Sequence, residues 1–231
     1  MEHHPTPTAI VTGGSRGLGL ALVRILSARG WSVVTDGRDA TALHRALASL
    51  PGVTAVPGDV TDPAHRAALV EAAGDRIDLV VNNAGGLGPS PLPALADYPL
   101  DALAALFAVN VVAPLGLIQL ALPHLAPGGV IVDVTSDAAV EAYDGWGGYG
   151  ATKAALDHVG RVLAVERPDV RVLSVDPGDM RTRMHQDAFP GEDISDRPLP
   201  ETSVPGILAL VTSDVASGRY RAADFVPAVA P

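Results

Sequence analysis

Thr12-Gly13-Gly14-Ser15-Arg16-Gly17-Leu18-Gly19 stands between the apolar run Ala9-Ile10-Val11 and Leu20-Ala21-Leu22-Val23-Arg24-Ile25-Leu26. The first flank reads as a strand, the second carries apolar positions at helical spacing, and the stretch between them reads as a tight turn. Gly13, Gly17 and Gly19 remove Cβ atoms where the backbone must bend sharply and where a ligand must come close. The helix start beyond them offers unpaired N–H groups and a positive dipole end. Such a turn suits a pyrophosphate. Its G-x-x-x-G-x-G spacing differs from the better-known G-x-G-x-x-G fingerprint, and glycines also serve merely to close a turn between strand and helix.

Outward from that turn, apolar strand-like runs alternate with helical patterns. Strands are expected at 31–35, 53–56, 77–81, 129–134 and 170–175, and a short last one at 219–226. Helices are expected up to Leu50, from Pro63 to about Gly74 with Asp62 as N-cap, over 101–122, over 147–166 and over 204–211. This alternation predicts a doubly wound α/β fold: a parallel sheet with helices on both faces and ligands gathered at the carboxyl ends of the strands. Residues 179–201 break the rhythm and read as a substrate loop.

At 231 residues the chain suits one domain spanning 1–231, without room for a separate substrate domain. With no cysteine it has neither a disulfide framework nor a thiolate metal site, which suits a reducing compartment such as the cytoplasm. The net charge of -10 argues against nucleic acid or an anionic membrane surface as partner. Residues 1–8 lack the pattern of a signal or transit peptide. Residues 102–122 contain no charged side chain. Asn110, Pro114, Gly116 and Gln119 within them argue for a helix buried on two sides and against a membrane span. The seven histidines show no paired spacing on one helix face, and no catalytic metal is expected.

The ordered set of Thr12-Gly13…Gly17-Leu18-Gly19, Asp59-Val60, Asn82-Asn83-Ala84-Gly85, Asn110, Ser136, Tyr149-Gly150-Ala151-Thr152-Lys153 and Pro177-Gly178 resembles the short-chain dehydrogenase/reductase family. The resemblance runs across most of the chain. It implies a Rossmann-like fold and an oxidoreductase that moves a hydride between NAD(P) and a carbonyl or secondary alcohol. It further implies that Tyr149 is the acid and base, that Ser136 orients the substrate oxygen, that Lys153 bonds the nicotinamide ribose, and that Asn110 holds a water in a proton relay.

The chemistry explains these residue types. Hydride addition to a carbonyl leaves an alkoxide, so a proton donor must lie within hydrogen-bond reach, and tyrosine near its usual pKa of about 10 is a sluggish one. A lysine four residues on shares its helix face, where an ammonium favours the tyrosinate. Lys153 is the one lysine among the 16 Lys and Arg residues, at the place where a compact ammonium is needed and a planar guanidinium would not serve.

The choice of cofactor turns on the end of the second strand. Where NAD-using relatives carry an acid, this chain has Gly37, followed by Arg38, and Arg16 in the glycine turn is a second basic residue. Both favour NADP(H), through a 2′-phosphate. Asp36 lies one place early, and a shift of one residue would restore NAD(H). The resemblance also assigns Gly13, Ser15, Asp59, Val60, Asn83, Ala84 and Gly85 to the cofactor. After Pro177-Gly178 it assigns Met180 and Thr182 as well. Asp179 and Asp137 depart from the family's usual pattern. Trp146, Met184, Phe189 and the loop 86–91 are expected to wall a partly apolar pocket.

Two other readings stay open. One is a nucleotide-binding sensor or regulator of the same fold, which would not need Asn110, Ser136, Tyr149 and Lys153 together. The other is an epimerase or dehydratase, which would need a longer C-terminal portion. The apolar outward faces of helices 101–122 and 147–166 predict a homodimer or homotetramer.

Overall fold

The computed structural model describes residues 6–226; residues 1–5, part of the stretch read above for targeting signals, lie outside it, as do 227–231. The glycine turn joins strand β1 (Thr8–Val11) to helix α1 (Gly17–Ala28). The alternation continues through β2 (Ser32–Gly37), α2 (Ala40–Leu47), β3 (Val53–Pro57), α3 (Pro63–Ala73) and β4 (Ile77–Asn82). Asp62 caps α3 through the Ala64 N–H with Pro63 in the first turn, as its sequence predicts.

After the proline-rich loop come α4 (Leu100–Phe107) and α5 (Ala113–Ala121), then β5 (Leu125–Val134), α6 (Gly147–Glu166) and β6 (Arg171–Asp176). Helices α7 (Arg183–Ala188) and α8 (Val204–Thr212) precede β7 (Gly218–Arg221). The seven strands form one parallel sheet in the order β3-β2-β1-β4-β5-β6-β7, which places the strand-order reversal between β1 and β4.

Strand alternation decides which face each residue joins. Ala9 and Val11 pack with α1 and α8 on one face, while Ile10 packs with α3, α5 and α6 on the other. The same alternation turns Asp36 toward α3 and Gly37 toward α1.

The structure departs from the sequence reading in three places. The single helix expected over 101–122 is interrupted by a π-helical segment, Ala108–Val112, around Asn110. The long helical stack Leu100–His124 is apolar enough to cross a membrane by length and composition; it packs one side against α3, α6 and β4 and leaves Leu100, Val112 and Leu120 exposed. The last strand stops at Arg221, not Val226. There the chain turns into the short 3-10 segment Ala222–Phe225, and the Ala222 backbone lies so close to Gly206 of α8 that no side chain would fit. The segment 179–201, expected to be irregular, contains α7.

Candidate active site

Gly13 has φ of +75° and Gly17 of +57°, conformations that cost other residues strain. A Cβ on Gly19 would collide with the Gly13 carbonyl. Arg16, the N-cap of α1, makes no side-chain capping bond and is exposed, so the first N–H groups of α1 face the cleft. Thr12 ties the turn to the central strand: its hydroxyl accepts from the N–H groups of Asn83 and Ala84, both at 3.0 Å, while Asn83 Nδ2 donates to the Thr12 carbonyl at 2.8 Å. Thr182 lies opposite, its methyl 3.7 Å from where a Gly17 side chain would begin. It caps α7 through the His185 N–H.

Asp36 is buried and faces away from this cleft. One oxygen accepts from the Gly13 N–H at 2.6 Å and the other lies 2.9 Å from His65 Nε2. Burial pushes its carboxyl above the usual range, against the pull of Gly13 and His65. Gly37 faces the turn instead: a Cβ there would stand 3.1 Å from Ser15. Arg38 is exposed and, like Arg16, forms no ion pair among the described residues. Asp59 accepts twice from Thr61, which holds its carboxyl below the usual range, with Arg38 adding to the effect. The Val60 carbonyl accepts from buried Arg66 at 2.6 Å.

The residues expected to carry the chemistry converge at the ends of β4 and β5 and on α6. Asn110, buried in the π-helical turn, accepts from the Gly86 N–H at 2.8 Å and donates to the Gly86 carbonyl and to Thr152 Oγ1. Its side chain therefore ties the loop after Gly85 to the helix that carries Lys153. Single-turn π segments recur at functional sites.

Ser136 Oγ donates to Asp137 Oδ1 at 2.9 Å, and Tyr143 donates to the other Asp137 oxygen. Tyr149 lies in an apolar cluster with Leu87, Ala138 and Ala188, joined by Trp146, Met184 and Phe189. The Trp146 ring meets Tyr149 edge-on at 5.7 Å between centroids. Of the departures noted in the sequence, Asp137 thus orients Ser136, whereas Asp179 is occupied by Arg197 at 3.8 Å and by His185 at 4.0 Å.

Lys153 Nζ donates to the Val134 carbonyl at 2.7 Å and stands 5.6 Å from the centre of the Tyr149 ring. Burial pushes the Tyr149 phenol well above its usual pKa; the neighbouring Ser136 hydroxyl opposes this and Asp137 and Asp176 add to it.

Sequence reasoning missed a layer of carboxylates beneath α6. Asp133, Asp157 and Asp176 are all buried. Asp133 accepts from Asn82 Nδ2 at 2.8 Å, but its second oxygen has no partner. Its pKa is raised to about 6, chiefly by burial. Burial also holds Lys153 down at about 8, against the pull of Asp133 and Asp157. The available signal was polar residues at strand period in otherwise apolar strands, Asp133 with Thr135 and Ser174 with Asp176.

The family profile described as short chain dehydrogenase matches residues 7–193. The chain is 34% identical over 193 residues to a benzil reductase ((S)-benzoin forming) of Saccharomyces cerevisiae, covering 77% of this chain and 73% of that protein. The crystal structure of the KRED1-Pglu enzyme superimposes with a TM-score of 0.84 at 34% identity, covering 93% of this chain and all of the other. A structure described as a short chain dehydrogenase from Escherichia coli CFT073, complexed with NADPH, gives 0.86 at 27% identity over 94% of this chain and 96% of the other.

Proposed function

Because this chain belongs to the short-chain dehydrogenase family and is an NAD(P)-dependent oxidoreductase, we propose that it uses NADP(H) to interconvert a carbonyl compound and its secondary alcohol. The observation that carries the cofactor choice is the strand phase at the end of β2. Asp36, the one acid that could meet a ribose 2′-hydroxyl there, is turned inward onto Gly13 and His65. Gly37 faces the turn without a side chain, flanked by exposed Arg16 and Arg38.

The turn fits a dinucleotide: Gly13, Gly17 and Gly19 leave a cradle that side chains would fill, and the start of α1 is uncapped. Ser15, Arg16, Leu18 and Arg38 would hold the phosphates, Asp59, Val60, Asn83, Ala84 and Gly85 the adenosine side, and Pro177, Gly178, Met180 and Thr182 the nicotinamide end. Bound there, the nicotinamide supplies or accepts the hydride.

The protein's own groups manage the oxygen and the proton. Tyr149, protonated at neutral pH, is the donor to the substrate oxygen during reduction. Ser136 fixes that oxygen, Lys153 holds the ribose, and Asn110 keeps the loop after Gly85 registered on α6. The wall of Leu87, Trp146, Met184 and Phe189 favours a partly apolar substrate and excludes water. Retention of Tyr149, Lys153, Ser136 and Asn110 in one connected site favours an enzyme over a sensor. The cysteine-free composition suits a reducing cytoplasm.

Following NADPH and NADH oxidation against a panel of ketones and aldehydes tests this reading. NADPH is expected to give at least about tenfold higher kcat/KM, the worth of one charge-assisted pair. Equal or better turnover with NADH would remove the role given to Arg16 and Arg38. The exposed Leu100 on α4, Val112 at the end of the π-helical segment, Leu120 on α5, and Val162 and Val165 on α6 favour a homo-oligomer paired through these helices. Light scattering should report a dimer or tetramer that Ala105→Asp dissociates, and a monomeric wild type would contradict the pairing.

A further inference from the structure

The guanidinium of Arg219, on the last strand, reaches α6, the segment after β5 and the end of β6 at once. Its Nε donates to Asp157 Oδ2 at 3.1 Å, and its Nη2 to the Ser136 carbonyl at 2.9 Å and to Asp176 Oδ2 at 3.4 Å. Asp157 lies one helical turn beyond Lys153 on α6. Asp176 uses its other oxygen to accept from the Gly178 N–H at 2.9 Å. The carbonyl is that of Ser136, the residue that would orient the substrate. A planar fork with several fixed donors can hold three acceptors in one geometry, which a lysine's single ammonium cannot reproduce.

We propose that Arg219 is a positioning residue for the reaction, fixing Ser136, the helix that carries Tyr149 and Lys153, and the Pro177-Gly178 turn relative to one another. The inference rests on the roles given above to Ser136, Tyr149 and Lys153. It adds that the short β7, remote from the glycine turn, aligns the substrate side with the nicotinamide side. Arg219 does not touch the reacting atoms. It acts through the backbone of Ser136 and through two carboxylates.

A second consequence is electrostatic. Arg219 offsets the charge of Asp157 and Asp176, and both bear on the site: Asp176 on Tyr149, Asp157 on Lys153. The other groups facing these two residues are Ser136 and Asp137 beside Tyr149, and Asp133 beside Lys153. Without the guanidinium Asp176 disfavours the tyrosinate further, and Asp157 favours the Lys153 ammonium further.

The test compares wild type with Arg219→Gln and with Arg219→Lys, which keeps the charge and loses the fork. In turnover with NADPH and a carbonyl from the panel, both variants should lose kcat by about tenfold while KM for NADPH stays within about threefold of wild type.

If either variant keeps wild-type kcat, or if KM for NADPH rises as far as kcat falls, the proposal is overturned. Should Arg219→Gln fail to fold, Arg219→Lys decides the matter by its kcat alone. Failure of the functional reading shows differently: Tyr149→Phe would then retain turnover whatever residue stands at 219.

Discussion

At the β2 end of the sheet, a buried carboxylate is fully spoken for: Asp36 pairs with the Gly13 N–H and with His65. At the β5–β6 end, buried carboxylates are left partly open. Asp133 and Asp157 each keep an oxygen without a partner, and Lys153 lies in their field. The difference separates a binding end from a reacting end. At the first, charge is spent on fixing a backbone turn, and recognition is left to exposed arginines and bare N–H groups. At the second, burial raises the Tyr149 phenol and lowers Lys153, and neighbouring carboxylates act on both in the same low dielectric.

The contrast can be broken most sharply at Lys153. Lys153→Arg should lower kcat by about 100-fold or more while leaving the fold and most of the NADPH affinity intact. The longer guanidinium keeps the charge but cannot take the buried site where Nζ meets the Val134 carbonyl. Circular dichroism and fluorescence titration with NADPH check fold and affinity, and near-normal kcat would place the reacting end elsewhere.

At the binding end the effect should be smaller and should change selectivity, not rate. Arg38→Asp introduces beside Gly37 the acid that Asp36 cannot supply from its inward position, and is expected to shift the NADPH to NADH ratio of kcat/KM by about tenfold or more toward NADH. An unchanged ratio would show that the exposed arginines do not read the cofactor.

The smallest effect concerns stability. Asp133 has its pKa raised to about 6 in the fold, above the ordinary 3.8. Its contribution to stability is therefore fully present below about pH 4 and lost as pH rises through about 6, because the buried site disfavours the charged form. Asp133→Asn, which keeps an acceptor for Asn82, should match wild type near pH 4 and exceed it by about 1–3 kcal/mol at pH 7 in urea unfolding. A stability difference independent of pH would contradict the raised pKa.

What the sequence made legible follows from the same division. The glycine turn could be read because a backbone bend and a close approach leave no alternative to glycine, and the Asp62-Pro63 helix start because capping is local. The Tyr149 to Lys153 spacing was visible as one helical turn, but the lysine's actual partner, the Val134 carbonyl, was not, since it lies on a different element. The π-helical turn at Asn110 left no trace because a uniformly apolar stretch has no polar face whose phase could jump. Asp36 could be assigned a direction only once the strand phase was known. Arg219 meets Asp157 and Ser136 across 62 and 83 residues, a contact that only the closed sheet creates.

The central claim is that Tyr149 passes a proton to a carbonyl oxygen while NADPH is oxidised in a site built by this chain. Single-turnover oxidation of NADPH by wild type and Tyr149→Phe, with a carbonyl from the panel that wild type reduces, tests it most directly. The account predicts that NADPH binds both proteins with similar affinity and that the rate in the variant falls by at least about 100-fold. Binding of NADPH with no carbonyl reduced faster by wild type than by Tyr149→Phe would contradict it, and would leave a nucleotide-binding sensor as the better description.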